Sequence, residues 1–211
     1  MIKTVLQEVL ELLSIDVSKD IVLRLPEPED AETLFDLIDH DREELGKWMP
    51  WTQTTRSAQD ERHFIHYALD RQAHNQLWVA IIVVHNKPAG MIDIHEIDHL
   101  NKHGKIGYWL GQAFQGKGVM TRSLQAVERV AFDELGLQRL ELLADVANLR
   151  SRAVAERLSY INEGTMSAYL FVNGRFHDTI LYPRFVQERR FGDRRMSGSS
   201  RGGLMDVRKQ K

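Results

Sequence analysis

Hydrophobic residues along the chain fall into runs of two kinds, and the alternation of those runs predicts the elements. Val5, Leu6, Val9, Leu10, Leu12 and Leu13 recur at helical spacing around Glu8 and Glu11, which predicts an amphipathic leading helix. "IVLRLPEPED" reads as a short strand stopped by Pro26 and Pro28, and Asp30 to Leu45 as a helix with Leu34, Phe35, Leu37 and Ile38 at helix spacing. "GKWMPWTQTT" is a loop carrying two tryptophans, followed by a second helix from Ala58 to His74. "LWVAIIVVHNKPAGMIDIHEI" predicts two β runs joined by a turn at Asn86-Lys87-Pro88, and "KIGYWLG" a further short strand. Gly116 to Gly118 opens a long helix through Leu135, with Leu124, Val127, Val130 and Ala131 on its apolar face. "LQRLELLADV" is a strand, Asn148 to Leu158 a helix, and "LFVNGRFHDTILY" a hairpin turning at Asn173-Gly174. The order β, two helices, β-meander, helix, strand, helix, hairpin predicts an α/β (α+β mixed) domain with one central mixed sheet and helices on both faces.

Composition adds limits to this picture. The chain has 211 residues, 43% of them hydrophobic, enough for one domain with a real core. With no cysteine there is no disulfide framework, thiolate metal site or cysteine nucleophile. Neither a signal-peptide pattern nor a long apolar run is present, so a cytoplasmic protein with no membrane partner is expected. The formal net charge is −2, but residues 187–211 hold eight lysines and arginines against three acids, +5, which leaves −7 for the rest. Three segments are expected: an N-terminal helical extension over 1–20, a domain over 21–186, and a basic, disordered tail over 187–211. The leading helix is expected to cap the core, with pairing into a homodimer as its other use. The tail is expected to be a solvated arm, with nucleic acid or ribosome contact as its sharper use.

Candidate chemistry sits at two places. At the first, a strand ends at Leu110-Gly111, and Gln115-Gly116-Lys117-Gly118 leads directly into a helix. A helix mouth has free N–H groups and the positive end of the macrodipole, and glycines let its backbone approach a phosphate closely. Lys117 adds charge, and Thr121 and Ser123 offer hydroxyls. The segment is neither a P-loop nor GxGxxG. At the second, His95-Glu96-Ile97-Asp98-His99 spells H-E-x-x-H, the zinc-protease signature. That motif needs a helix. In a strand the two imidazoles share a side but stand about 13 Å apart, too far to share a zinc at about 2 Å per bond. The flanking β-rich runs and proline turn favour the strand, so no metal is expected.

The stretch "GYWLGQAFQGKGVMTRSL" resembles the acetyl-coenzyme A loop, Q/R-x-x-G-x-G/A, of the GNAT acetyltransferases; Gln115 and Gly118 match, and Met120 replaces the last Gly/Ala. The resemblance is nearest the RimJ/RimL-type branch, which acetylates amino termini of ribosomal proteins. It extends over "IVLRLPEPEDAETL", "LNKHGKIGYWLG", "ANLRSRAVAERLSYINEG" and "YLFVNGRFHDTILYPRF", about Ile21 to Phe185. It implies a single GNAT-type domain with a mostly antiparallel twisted sheet, and acetyl-coenzyme A as cosubstrate. Trp109, Leu110 and Gly111 would polarise the thioester from a splayed strand, and Gln115, Gly116, Lys117, Gly118, Val119, Met120 and Thr121 would hold the diphosphate. Asn148 and Ser151 match the N-x-x-S helix, Ser151 as general acid near the sulfur; their other readings are an N-cap and a first-turn polar residue. The branch's glutamate base falls on Leu170, beside Tyr169, so His95, Glu96 or a water chain must take the amine's proton. Ser159-Tyr160 replaces an expected Gly-Phe. Trp48, Trp51 and Tyr169 would line the acceptor site.

The expected activity is acetyl transfer to a primary amine by direct attack in a ternary complex, the acceptor being a protein α-amino group. A small amine such as a polyamine, antibiotic or amino acid, and a non-catalytic acyl-coenzyme A sensor, are the alternatives.

Overall fold

The computed structural model describes residues 14–186. The expected leading helix and basic tail lie outside them. Eight strands form one sheet: β1 Ile15–Ser18, β2 Ile21–Arg24, β3 Trp78–Val84, β4 Lys87–Asp98, β5 His103–Leu110, β6 Arg139–Asp145, β7 Gly164–Val172 and β8 Arg175–Phe185. Their order is β1-β2-β3-β4-β5-β6-β8-β7. Every neighbouring pair is antiparallel except β5–β6. The sheet therefore starts at Ile15, inside the stretch expected as an extension.

The helices are α1 Asp30–His40, α2 Arg42–Gly46, α3 Ala58–Ala73, α4 Val119–Arg129 and α5 Leu149–Arg157. They bury both faces of the sheet. Ala31, Leu34, Ile38, Leu45, Ile65 and Ala68 of α1 to α3 pack with Val79, Ile81, Met91 and Trp109. Val119, Met120, Leu124, Val127, Val154 and Ala155 of α4 and α5 pack with Ala80, Ile82, Ile92, Ile94 and Leu110 on the other face. A strand buried on both faces needs apolar residues at odd and even positions, which is why "WVAIIVV" reads as a continuous run.

Three elements depart from the hydrophobic pattern. The helix expected over Asp30–Leu45 breaks at Asp41, whose backbone leaves helical geometry at φ −101°, ψ 12°. The Asp41 carboxylate accepts the Gln112 N–H at 2.5 Å, tying the break to the segment that follows β5. The helix expected through Leu135 turns π-helical over Val130–Glu134, where the Leu135 N–H reaches back to the Val130 carbonyl at 2.9 Å. The β3–β4 turn falls on His85 and Asn86, both at positive φ, leaving Lys87 and Pro88 in the strand.

Beyond Ile106 and Leu142 the sheet opens. β5 and β6 pair only from His103–Arg139 to Ile106–Leu142, while β5 stays with β4 as far as Leu110 and β6 stays with β8 as far as Asp145. The α2–α3 loop walls this opening on one side. Its turn is fixed by the Thr52 hydroxyl donating to the Met49 carbonyl and by Arg42 donating to the Thr52 carbonyl. The β7–β8 turn reaches the end of α2 that leads into this loop, Asn173 donating to the Gly46 carbonyl at 3.0 Å.

Leu124 is fully buried where α4 meets the sheet. Leu124→Ala is expected to cost about 2–5 kcal/mol in chemical denaturation, and a loss under about 1 kcal/mol would contradict this packing.

Candidate active site

Strand alternation sets which amides face the opening. The Gly111 N–H donates to the Ala89 carbonyl at 2.8 Å. Along an antiparallel ladder the Trp109 amide then also points to β4, and the Tyr108 and Leu110 amides point into the gap. Of the expected polarising segment, Leu110 thus offers a free donor while Gly111 is committed within the sheet. The Leu110 carbonyl accepts from the Gln115 side chain at 2.7 Å, and the same side chain accepts from Arg150 at 2.7 Å, so Gln115 bridges the strand end to α5.

Past this bridge comes the mouth of α4. Gly118 sits before the helix in the left-handed region at φ 71°, and Gly116 is similar at φ 73°. A Cβ at either would meet nothing within 4 Å, so the backbone faces open space. The first bond of the helical ladder is Arg122 N–H to the Gly118 carbonyl, which leaves the amides of Val119, Met120 and Thr121 ahead of it. A cavity of about 550 Å³ opens here, lined by Gln115, Gly116, Gly118 and the first turn of α4. Arg122, Arg150 and Arg157 also line it, and neither Arg122 nor Arg150 was singled out from the sequence. Arg122 pairs with Asp20 at 3.0 Å and Arg157 donates to the Thr121 hydroxyl at 3.1 Å. Lys117 stands outside the lining and donates to the Ala113 carbonyl. This is a diphosphate-sized cradle of open amides and guanidinium groups, and its donor set suits coenzyme A.

A second cavity of about 590 Å³ passes through the gap to the other face of the sheet. Its lining runs from Asn148 and Ser151 on α5, past Gly107 to Trp109 and Leu143 to Asp145, to Trp48, Trp51, Glu61 and Phe64. The two cavities share Trp48, Met49, Tyr108, Trp109, Asn148 and Ser151. At their junction Ser151 Oγ lies 2.9 Å from the Tyr108 hydroxyl, whose pKa burial pushes up to about 12. Asn148 caps α5 by accepting the Ser151 N–H at 3.1 Å and lines both cavities as well, so its two sequence readings coincide. Trp51 stacks at a tilt on Trp109, with ring centroids 6.2 Å apart.

The acetyltransferase (GNAT) domain model matches residues 20–160. The chain belongs to the GNAT acetyltransferase family. It is 36% identical to YdaF of Bacillus subtilis (strain 168) over 173 residues, 82% of this chain and 94% of the relative. It is 28% identical to the ribosomal-protein-serine acetyltransferase of Escherichia coli (strain K12), over 82% of this chain and 97% of that protein. Among solved structures it is similar to a ribosomal L7/L12 alpha-N-protein acetyltransferase in complex with coenzyme A, with TM-score 0.78, 29% identity, and 82% and 97% of the two chains covered.

Within this GNAT domain the H-E-x-x-H letters separate. His95 and Glu96 lie on β4, and Glu96 sits at φ 48° where the register with β5 shifts. That bulge cancels the same-side geometry expected of an unbroken strand, and His99 falls in the turn beyond. His99 bonds the Asn75 carbonyl, whereas His95 Nδ1 lies 2.6 Å from Asp93. Among the described residues no group of three or more His, Asp or Glu side chains is placed to hold a metal. His95 and Asp93 line the second cavity and Glu96 does not. Glu96 is exposed and ion-paired to Lys105, which holds its carboxyl below the usual range. Gly107 stands opposite Asp93 for a steric reason: a Cβ there would lie 2.8 Å from the carboxylate. Leu170, rather than Tyr169, lines the cavity; Tyr169 is exposed.

Glu61 also escaped the sequence reading. It is only 3% exposed, faces this cavity, and burial pushes its pKa from 4.5 to about 7. The folded value lies above the unfolded one, so the stability this group contributes is present below about pH 4.5 and is lost as pH rises through about 7. Glu61→Gln should therefore gain about 3 kcal/mol on the native protein between pH 4.5 and pH 8 in parallel denaturation series. A gap that stays constant with pH would contradict the burial of an uncompensated carboxyl.

Proposed function

We propose that this acetyltransferase moves the acetyl group of acetyl-coenzyme A to a primary amine, and that the amine is the α-amino group of a protein amino terminus. One observation carries the reading: an anion cradle at the mouth of α4 and a second cavity reaching α3 meet at Ser151 and Tyr108 in the gap between β5 and β6. The similarity to acetyltransferases of ribosomal proteins supports the protein acceptor. An α-amine with pKa near 8 is partly neutral at pH 7, so a modest base suffices.

The residues divide the work. Gln115, Gly116 and Gly118 to Thr121, with Arg122, Arg150 and Arg157, hold the diphosphate, and the Leu110 amide donates to the thioester carbonyl. His95, oriented by Asp93 and with no partner on Nε2 among the described residues, takes the proton from the amine as its nitrogen bonds to the acetyl carbon. Ser151, hydrogen-bonded to Tyr108, gives a proton to sulfur as the C–S bond breaks. The product amide and the thiol leave with one proton transferred at each side, and no acyl-enzyme forms. The intact hydroxyl pair and the His95–Asp93 pair favour this over a sensor that binds without turnover.

Thiol release with acetyl-coenzyme A should proceed with peptides bearing a free amino terminus and stop when that terminus is blocked; equal rates would refute the acceptor. Ser151→Ala should lower kcat by about tenfold to a hundredfold while coenzyme A affinity changes less than about threefold. Unchanged kcat would remove the acid. His95→Gln should cost a comparable factor at pH 7 and less toward pH 9, where more amine is already neutral, and Glu96→Gln should stay within about twofold. The reverse ranking would move the base to Glu96.

A further inference from the structure

Four carboxylates line the acceptor cavity, and no lysine or arginine does. Three of the four are engaged within the protein. Asp60 accepts from the Arg56 amide and the Ser57 hydroxyl, Asp93 holds His95, and Asp145 holds His177 and the Ala147 amide. The fourth, Glu61, makes no side-chain hydrogen bond or ion pair among the described residues, although it is only 3% exposed. Its place on α3 shows that packing does not require it. Glu61, Ile65 and Ala68 form the buried stripe of that helix, and an apolar residue at the first position would continue it. An ionised carboxylate there opposes folding, and the described residues supply no counter-charge for it, which leaves that place open to a ligand's cation.

We infer that Glu61 is the specificity-determining counter-ion for a second, non-reacting cationic group on the acceptor, an ammonium or guanidinium a few bonds from the amine that is acetylated. The placement separates the two charges. Ser151 and Tyr108 mark the reacting end, on the α5 side of the gap, whereas α3 packs on the opposite face. Trp48, Trp51 and Phe64 line the same cavity, and aromatic faces add to the attraction for a cation. The inference deepens the acetyl-transfer reading and rests on it for turnover but not for binding.

Two matched acceptor pairs test it: 1,4-diaminobutane against pentan-1-amine, and two peptides that differ only in lysine or norleucine as second residue. Rates with acetyl-coenzyme A, and calorimetric binding to the coenzyme A-loaded protein, are read for wild type and Glu61→Gln. Wild type should favour the charged member of at least one pair by about tenfold or more. Whichever pair shows it identifies a small polyamine or a protein terminus as the source. Glu61→Gln should reduce that preference to less than about twofold, leaving the uncharged members and coenzyme A affinity unchanged. No preference in wild type, a preference that survives the substitution, or an equal loss for both members would overturn the inference. Charge-selective binding that depends on Glu61, without turnover of any amine, would uphold it and refute acetyl transfer instead.

Discussion

The parting of β5 from β6 is the constraint on which the rest of the site depends. A continuous ladder would pair the Tyr108 and Leu110 amides with β6 and close the sheet, leaving no passage between its faces. Because pairing stops at Ile106–Leu142, two backbone donors stay unspent and a channel runs from the mouth of α4 to the loop between α2 and α3. Each partner strand is held on its outer side, β5 by β4 and β6 by β8, so the opening is a fixed feature of the sheet. The Ser151–Tyr108 hydroxyls sit across it, at the point where the proposed reaction brings the acceptor and the thioester together.

Charge is distributed unevenly about that opening. On the cradle side three guanidinium groups and the amides of a helix mouth stand with Asp41 and Glu44, and the cluster at the mouth of α4 favours an anion. On the other side are four carboxylates, three tryptophans and a phenylalanine, which favour a cation. Under the proposed reading, this difference would favour the anionic cosubstrate in one cavity and a cationic acceptor in the other. The formal −7 of the chain ahead of its basic tail is a blunt measure of this arrangement.

Much of this was legible in the residue pattern, for physical reasons. Period-2 and period-3.6 runs marked nearly every strand and helix, and glycine spacing before α4 marked the cradle because glycine adopts the φ of 71° found at Gly118 without the steric cost of a Cβ. What could not be read depends on contacts distant in sequence. The break at Asp41 is fixed by an amide 71 residues away, and the strand at Ile15–Ser18 is stabilised by its neighbour more than by its own alternation. His95 and Glu96 were equivalent as letters, and only the bulge at Glu96 sends them apart, one to Asp93 and one to Lys105. Glu61 left a signal that went unread: a carboxylate at the i position of a stripe continued by Ile65 and Ala68. Gly107 left another, since a glycine inside a strand marks something close beside it, here the Asp93 carboxylate.

A crystal structure with acetyl-coenzyme A bound tests the central claim most directly. The account predicts the diphosphate against the amides of Gly116 to Thr121, and the thioester carbonyl within hydrogen-bonding distance of the Leu110 amide, in the gap beyond Ile106. A diphosphate bound elsewhere, or a thioester lying outside the gap, would contradict it.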